Sequence, residues 1–221
     1  MGIVTGYICL VCLIFLLLKY IARRFHFDKL NKGLMKVHKY MACAFLLIGI
    51  LHLILVIKVI DTRHYWVTAS GIVVLFSGLA LTVICHAMKN RKREIFFHRA
   101  LSLIMAVMLV IHIVSYFYDF NQYKTMIRSI TIDEIDLESI EDGAYIGECD
   151  AGYIYAKVKV VVENHCIKDI DILEHRHERG AKAESVVDVI VARQNIDVDA
   201  VSGATNSSLV IEKACVNALT R

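Results

Sequence analysis

Four histidines stand in two matching pairs within otherwise apolar stretches: His38 and His52 are fourteen residues apart, and so are His98 and His112. An α-helix advances about 1.5 Å and 100° per residue, so this spacing separates the members of a pair by about 21 Å and leaves both near one face. Each stretch, as a helix, offers an upper and a lower imidazole. A polar ring in hydrocarbon costs free energy unless it has a partner, which makes an intramembrane histidine a site hypothesis by default. Iron in two stacked haems is the partner that satisfies all four rings.

The elements that must carry these histidines are legible as membrane spans. Four stretches hold no Lys, Arg, Asp or Glu: Met1 to Leu18, Tyr40 to Ile57, Val67 to Met88 and Ala100 to Tyr118. Each approaches or exceeds the roughly 18 to 20 residues that cross a hydrocarbon core. The first has no basic region before it and no small-residue cleavage site, and its positive charges follow it, so it reads as a retained helix rather than a signal peptide.

Charge asymmetry sets the expected orientation. Lys19 to Lys39 carries seven Lys or Arg and Lys89 to Arg99 carries five, whereas the connection from Lys58 to Trp66 carries only Lys58 and Arg63. The positive-inside rule puts the two basic segments in the cytoplasm, and the N-terminus and everything after Tyr118 outside. The second and fourth helices then run in the same direction. His38 and His98 sit together near the cytoplasmic side, His52 and His112 together nearer the outside, as two bis-histidine haems require. A histidine near a helix end is also a common interfacial residue, and repetition of the spacing on two parallel helices is what favours ligation.

Other residues of the membrane half have two readings each. Ser70-Gly71 and Ser77-Gly78 form a small-residue stripe that a porphyrin or a neighbouring helix can approach. His86 can take a proton from a quinol or be an ordinary interfacial histidine. Lys36, Lys39 and Arg99 offer charge to haem propionates, or mark topology and snorkel. The seven cysteines show no Cys-x-x-Cys-His haem attachment and no zinc spacing, and Cys9-x-x-Cys12 falls inside the first helix.

The membrane half resembles the haem domain of ferric reductases and NADPH oxidases, over roughly residues 34 to 118. Histidines at this spacing with one antiparallel helix between them carry the resemblance. It implies two b-type haems, His38 opposite His98 on the inner iron and His52 opposite His112 on the outer. That family usually has six helices and a cytosolic flavin and nicotinamide domain; here there are four helices, and no cytosolic segment exceeds about twenty residues, short of the roughly 30 that a dinucleotide-binding βαβ unit needs.

Composition changes beyond Tyr118. Residues 1 to 119 contain fourteen Lys or Arg against four Asp or Glu, and residues 120 to 221 eleven against eighteen, so the net +3 conceals halves of +10 and −7. The expected organisation is a four-helix, all-α transmembrane haem domain over 1–119, a partly helical linker over 120–141 and a small extracytoplasmic α+β domain over 142–221. About 80 to 100 residues suffice for a core of their own. Strands are expected at Ala144 to Cys149, at Tyr153 to Val162 with alternation at Ile154, Ala156, Val158, Val160 and Val162, and near Ile167 to Leu173, the last two joined by a turn at Glu163-Asn164-His165. Helices are expected over Lys182 to Gln194 and Ser207 to Leu219. Cys149, Cys166 and Cys215 lie in this half, where one disulfide is open to them.

Directly before the last helix stands Asp199-Ala200-Val201-Ser202-Gly203-Ala204-Thr205. Gly203 and Ala204 permit close backbone approach, Thr205 offers a hydroxyl, and a helix N-terminus presents free amides and the positive end of its dipole. A phosphate is well received there, and a plain N-cap is the alternative. The seven residues look like the attachment motif of FMN-binding domains found in sodium-translocating and electron-bifurcating respiratory complexes. The resemblance runs from about Asp142 to Leu219 and includes Asp142-Gly143-Ala144-Tyr145-Ile146-Gly147-Glu148. It implies that a flavin transferase outside the cytoplasm joins FMN through its phosphate to Thr205, with Asp199, Ser202, Gly203 and Ala204 as further cofactor-binding residues. Leu173 to Gly180 is similar to a family loop near the flavin ring, which implicates His175 and Glu178, although the usual Thr-Pro-Gly is absent.

The chain therefore reads as a multi-pass cell-membrane oxidoreductase: a quinol, or a cytosolic reductase, feeds electrons through two haems to FMN and on to an external acceptor such as ferric iron or a redox protein. A membrane-anchored flavin redox sensor, or a non-haem subunit of a larger respiratory complex, is the competing reading, and haem content separates them. A homo-oligomer or a respiratory complex is compatible with either, and no nucleic-acid partner is expected.

Overall fold

The computed structural model describes residues 2–220. They form two compact units, one taking in residues up to Ile60 together with His64–Tyr116, the other Asp61–Arg63 together with residues from Phe117 onward.

The first unit is built from α1 (Gly2–Arg24), α2 (Asp28–Val56), α3 (Tyr65–Ala87) and the greater part of α4 (Arg91–Ser129). The chain contains no proline, so nothing in its sequence removes an amide from the interior of these helices. All four are long and apolar enough to cross a membrane. Large apolar side chains such as Leu47, Phe76, Val83, Leu103 and Val110 are exposed along them, a surface suited to hydrocarbon rather than water. All four helices contribute to a common buried layer: Cys12 and Leu13, Phe45, Val74 and Met105. Gly78 lets α2 come close, because a Cβ there would stand 3.1 Å from both Phe45 and Leu46. The short connections make sequence neighbours antiparallel, so α2 and α4 run the same way.

The second unit is α+β. Its sheet has the order β1-β2-β3, all antiparallel, from Gly143–Asp150, Tyr155–Glu163 and Cys166–Arg176. Period-two alternation in β2 puts Ala156, Val158, Val160 and Val162 on one face, where each is fully buried. Burial of such a valine contributes about 1.5–3 kcal/mol. Asn164 and His165 join β2 to β3 as a two-residue hairpin, with φ of 51° and 59° at the successive positions that a type I′ turn requires to be left-handed. The ladder shifts register between Lys157 and Val158 and between Val161 and Val162, leaving Leu173 and Lys168 of β3 without an opposite residue.

A short 3-10 turn, Ala181–Ser185, precedes α5 (Val186–Arg193), and Gln194 ends that helix at φ 53°. The continuous helix expected over Lys182 to Gln194 is thus two pieces. The final helix, α6 (Thr205–Leu219), begins two residues earlier than its apolar pattern suggested and includes Thr205 itself. It lies against the sheet so closely that a Cβ on Gly147 would overlap the backbone of Ala214 and Ala218. The segment after Tyr118 is helical to Ser129, and its Tyr123, Ile127, Ile130, Ile132 and Ile135 pack on the core of this unit. Cys149, Cys166 and Cys215 are all free, so the disulfide open to them in sequence is not formed.

Candidate cofactor sites

In the helical unit the inner pair meets across α2 and α4: the His38 and His98 rings are 6.4 Å apart, centre to centre, at 31°. Two metal–imidazole bonds of about 2.0 Å, plus about 1.2 Å from each ligating nitrogen to its ring centre, give roughly the same separation, so one ion fits between these rings. His98 Nδ1 also lies 3.3 Å from the Ser102 hydroxyl, one turn on.

The outer histidines are held by helices that the sequence did not connect with them. His52 Nδ1 donates to the Gly2 carbonyl at 2.9 Å, and the Thr5 hydroxyl lies 3.2 Å away. His112 Nδ1 donates to the Val67 carbonyl at 2.9 Å, with the Ser70 hydroxyl at 3.4 Å. A carbonyl only accepts, so each of these rings holds a proton on Nδ1; in the neutral imidazole that leaves the lone pair on Nε2, the tautomer that binds a metal. Gly6 and Gly71 make room for the rings, since a Cβ at either would press on the imidazole. Of the small-residue stripe on α3, Ser70-Gly71 accommodates His112 and Gly78 accommodates α2. His86 hydrogen-bonds back to the Thr82 carbonyl of its own helix at 3.3 Å.

In the second unit, Thr205 is the first residue of α6 and is exposed, as are Ser202 and Gly203. No side chain caps this helix. The turn before it is shaped from within: Gly203 takes φ 80°, the Ala204 amide donates to the Val201 carbonyl, and the Val201 amide donates to the Ser208 hydroxyl at 3.0 Å. Ser208, buried and absent from the sequence reading, therefore holds the turn from inside, while Thr205 and Asn206 at the start of α6 are exposed. Uncapped amides at a helix start are donors suited to a phosphate. Asp199 is 95% exposed and pairs with Arg193 at 3.6 Å, which places it on the rim of the turn.

Residues 151–220 match the family model of the FMN-binding domain. No curated protein and no solved structure matches the chain. The match covers β2, β3, α5 and α6, so this part of the second unit is similar to an FMN-binding domain, which suggests a flavin-associated redox role.

Near the turn before α6 lies a cluster of which sequence reasoning singled out only Glu178. The Tyr123 and Tyr153 rings stack at 4.8 Å and 14°, and the Tyr123 hydroxyl accepts from Asn206, the neighbour of Thr205, at 2.7 Å. The Arg63 guanidinium lies 3.4 Å over the Tyr153 ring and also 3.4 Å from Glu178. These residues are scattered over more than 140 positions and share no local pattern. Glu178 is thus committed to a cation, while His175 is turned elsewhere: its side chain is 2% exposed and Nδ1 lies 3.0 Å from Glu184. Burial, with the neighbouring His175 adding to it, holds His177 below the ordinary histidine range, and Glu184 opposes the shift.

Glu212 is a buried carboxyl on the helix that carries Thr205. It is 3% exposed on the inner face of α6, and its Oε1 has no partner. Burial, and then the charge of Asp197, push its carboxyl up to about 7. A folded-state value above the unfolded one means that the stabilising contribution is full below about pH 4.5 and is lost as pH rises through about 7. The difference corresponds to on the order of 3 kcal/mol. Melting of this domain, followed by circular dichroism or flavin emission, should fall between pH 5 and pH 8. Glu212→Gln should flatten that fall; an unchanged slope would mean that other groups cause it. Cys215, one turn away, has its thiol pushed up to about 12 by burial and the nearby Glu212, so it is a packing residue and not a nucleophile.

Proposed function

We propose that the chain is a transmembrane flavocytochrome, moving electrons from a quinol or a cytosolic-side donor across the membrane to an external acceptor, ferric iron or a redox protein. The observation that carries this reading is the contact each outer histidine makes with a backbone carbonyl: Nδ1 of His52 lies 2.9 Å from the Gly2 oxygen and Nδ1 of His112 2.9 Å from the Val67 oxygen, which in the neutral ring leaves Nε2 for a metal. The 6.4 Å separation of the His38 and His98 rings supports the inner site in the same way. When bound, b-type haems at these two pairs and FMN joined to Thr205 supply the electron-carrying chemistry.

The chain's own residues set the rest. His38 and His98 hold the inner iron, His52 and His112 the outer. Gly2, Thr5, Val67 and Ser70 fix the outer imidazoles, and Gly6 and Gly71 give them room. In the flavin domain, Ser208 and Gly203 hold the turn that presents Thr205 to a flavin transferase, and the first amides of α6 face the phosphate. The basic segments before α2 and before α4 favour an orientation with both chain ends outside the cytoplasm, the side on which such a transferase acts.

A reduced-minus-oxidised absorption spectrum of the purified chain tests this directly. Two haems per covalent flavin are expected, and in proteoliposomes an added quinol should produce the reduced spectrum. A flavin-loaded protein with no haem would exclude the flavocytochrome, and reduction by NADH alone would exclude the quinol route.

A further inference from the structure

A second cluster of ligating side chains lies in the flavin domain, separate from the four membrane histidines. His175 sits near the end of β3, His177 follows in the loop, and Glu184 comes from the 3-10 turn after it. Each offers one ligand atom, and the three atoms lie within 4.8 Å of one another. The two imidazole rings are 4.4 Å apart, centre to centre. Tetrahedral coordination at about 2.0–2.2 Å per bond needs ligand atoms roughly 3.4 Å apart, so small side-chain rotations bring all three onto one ion.

The state of His175 points to a ligand. Its Nδ1 and a Glu184 carboxylate oxygen are 3.0 Å apart, near the spacing of two ligand atoms on one ion. Glu184 is half-exposed, which gives an ion and its remaining waters a way in. The backbone holds the loop in place: the Gly180 amide donates to His177 Nδ1 at 3.1 Å, and a Cβ on Gly180 would overlap Ser207 in the first turn of α6. Binding through that nitrogen exchanges the amide contact for the metal.

We propose that His175, His177 and Glu184 form a binding site for a divalent first-row transition metal ion, on the loop that packs against the flavin-attachment helix. Two imidazoles and one carboxylate with an open position select the zinc, copper and nickel class over calcium or magnesium. The site stands independently of the haem reading, because none of its residues belongs to the helical unit.

Equilibrium dialysis of the purified full chain against Zn²⁺, with metal counted per covalent flavin, tests it. One Zn²⁺ beyond any bound elsewhere is expected at micromolar free ion. His177→Asn, which keeps an acceptor for the Gly180 amide, and His175→Ala should each remove that equivalent, and Glu184→Gln should weaken it at least tenfold. Zinc on vacant membrane histidines would survive all three substitutions, so a failure of haem loading cannot imitate the result. Ca²⁺ at the same concentration should not compete. Equal Zn²⁺ uptake by the wild type and by a His177→Asn protein that still carries its flavin would overturn the proposal.

Discussion

Thr205→Val is expected to abolish covalent flavin: in-gel fluorescence of the denatured protein should drop from one flavin per chain to none, while the domain stays folded. The expectation rests on where Thr205 sits. Its hydroxyl is at the exposed start of α6 and caps nothing, since Ser208 holds the preceding turn from inside. Valine keeps the β-branched shape and a similar helix propensity, so stability should move by no more than about 0.5 kcal/mol. Thr205→Ser, which restores a hydroxyl at the same position, should recover part of the flavin. Full fluorescence in the valine variant would place the linkage on another hydroxyl of the turn, with exposed Ser202 the first to examine. In proteoliposomes the same variant should keep quinol-dependent reduction of the haem spectrum and lose most of the transfer to an outside acceptor. Unchanged external reduction would show that the flavin lies off the route.

What the sequence made legible and what it hid divide along a physical line. Periodicity found β2 because alternate valines must face one core, and the four spans because nothing else keeps eighteen or more uncharged residues together. The start of α6 was misjudged because Thr205 and Asn206 carry no apolar signal; helical geometry begins there in the backbone, ahead of the first buried residue, Ser207. The helix expected from Lys182 split because Gly180 and the 3-10 turn bring Glu184 back to His175, a pairing between residues nine apart that no periodic pattern encodes. The isoleucines from Ile127 to Ile140 carried a readable signal, spaced as a segment that lies on a core. A single sequence could not show that Gly2 and Thr5 meet His52 across 47 to 50 residues, or that Asn206 meets Tyr123 across 83. Those contacts exist only after the helices pack. His52 and His112 were conspicuous because their neighbours are apolar, and His38 and His98, beside Lys36, Lys39 and Arg99, only because they repeat the same spacing. The tautomers of His52 and His112, which argue most directly for metal ligation, were not, because the carbonyls concerned belong to other helices.

Removal of one outer ligand should cost one haem and spare the other. His112→Ala deletes the ring that donates to Val67 and fits against Gly71, leaving a cavity lined by α3 with no ligand on α4 at that level. His52→Ala does the same from α2. Either change should roughly halve the amplitude of the reduced-minus-oxidised spectrum per flavin, because a b-type haem is held by its axial ligands and packing and not by a covalent bond. His38→Ala and His98→Ala should halve it too, by losing the inner site, and the two classes should differ in the midpoint potential of the haem that remains. A double variant, His98→Ala with His112→Ala, should bind none, since both ligands on α4 are gone. The pairing makes a sharper demand than the count: His52→Ala with His112→Ala should lose no more haem than either change alone, because both act on one iron, whereas His52→Ala with His98→Ala should lose both. Full haem content in any single variant, or equal loss in those two double variants, would break the assignment of His38 to His98 and His52 to His112. The flavin is the internal control, because Thr205 and the turn that presents it belong to the other unit and their loading should be unchanged throughout.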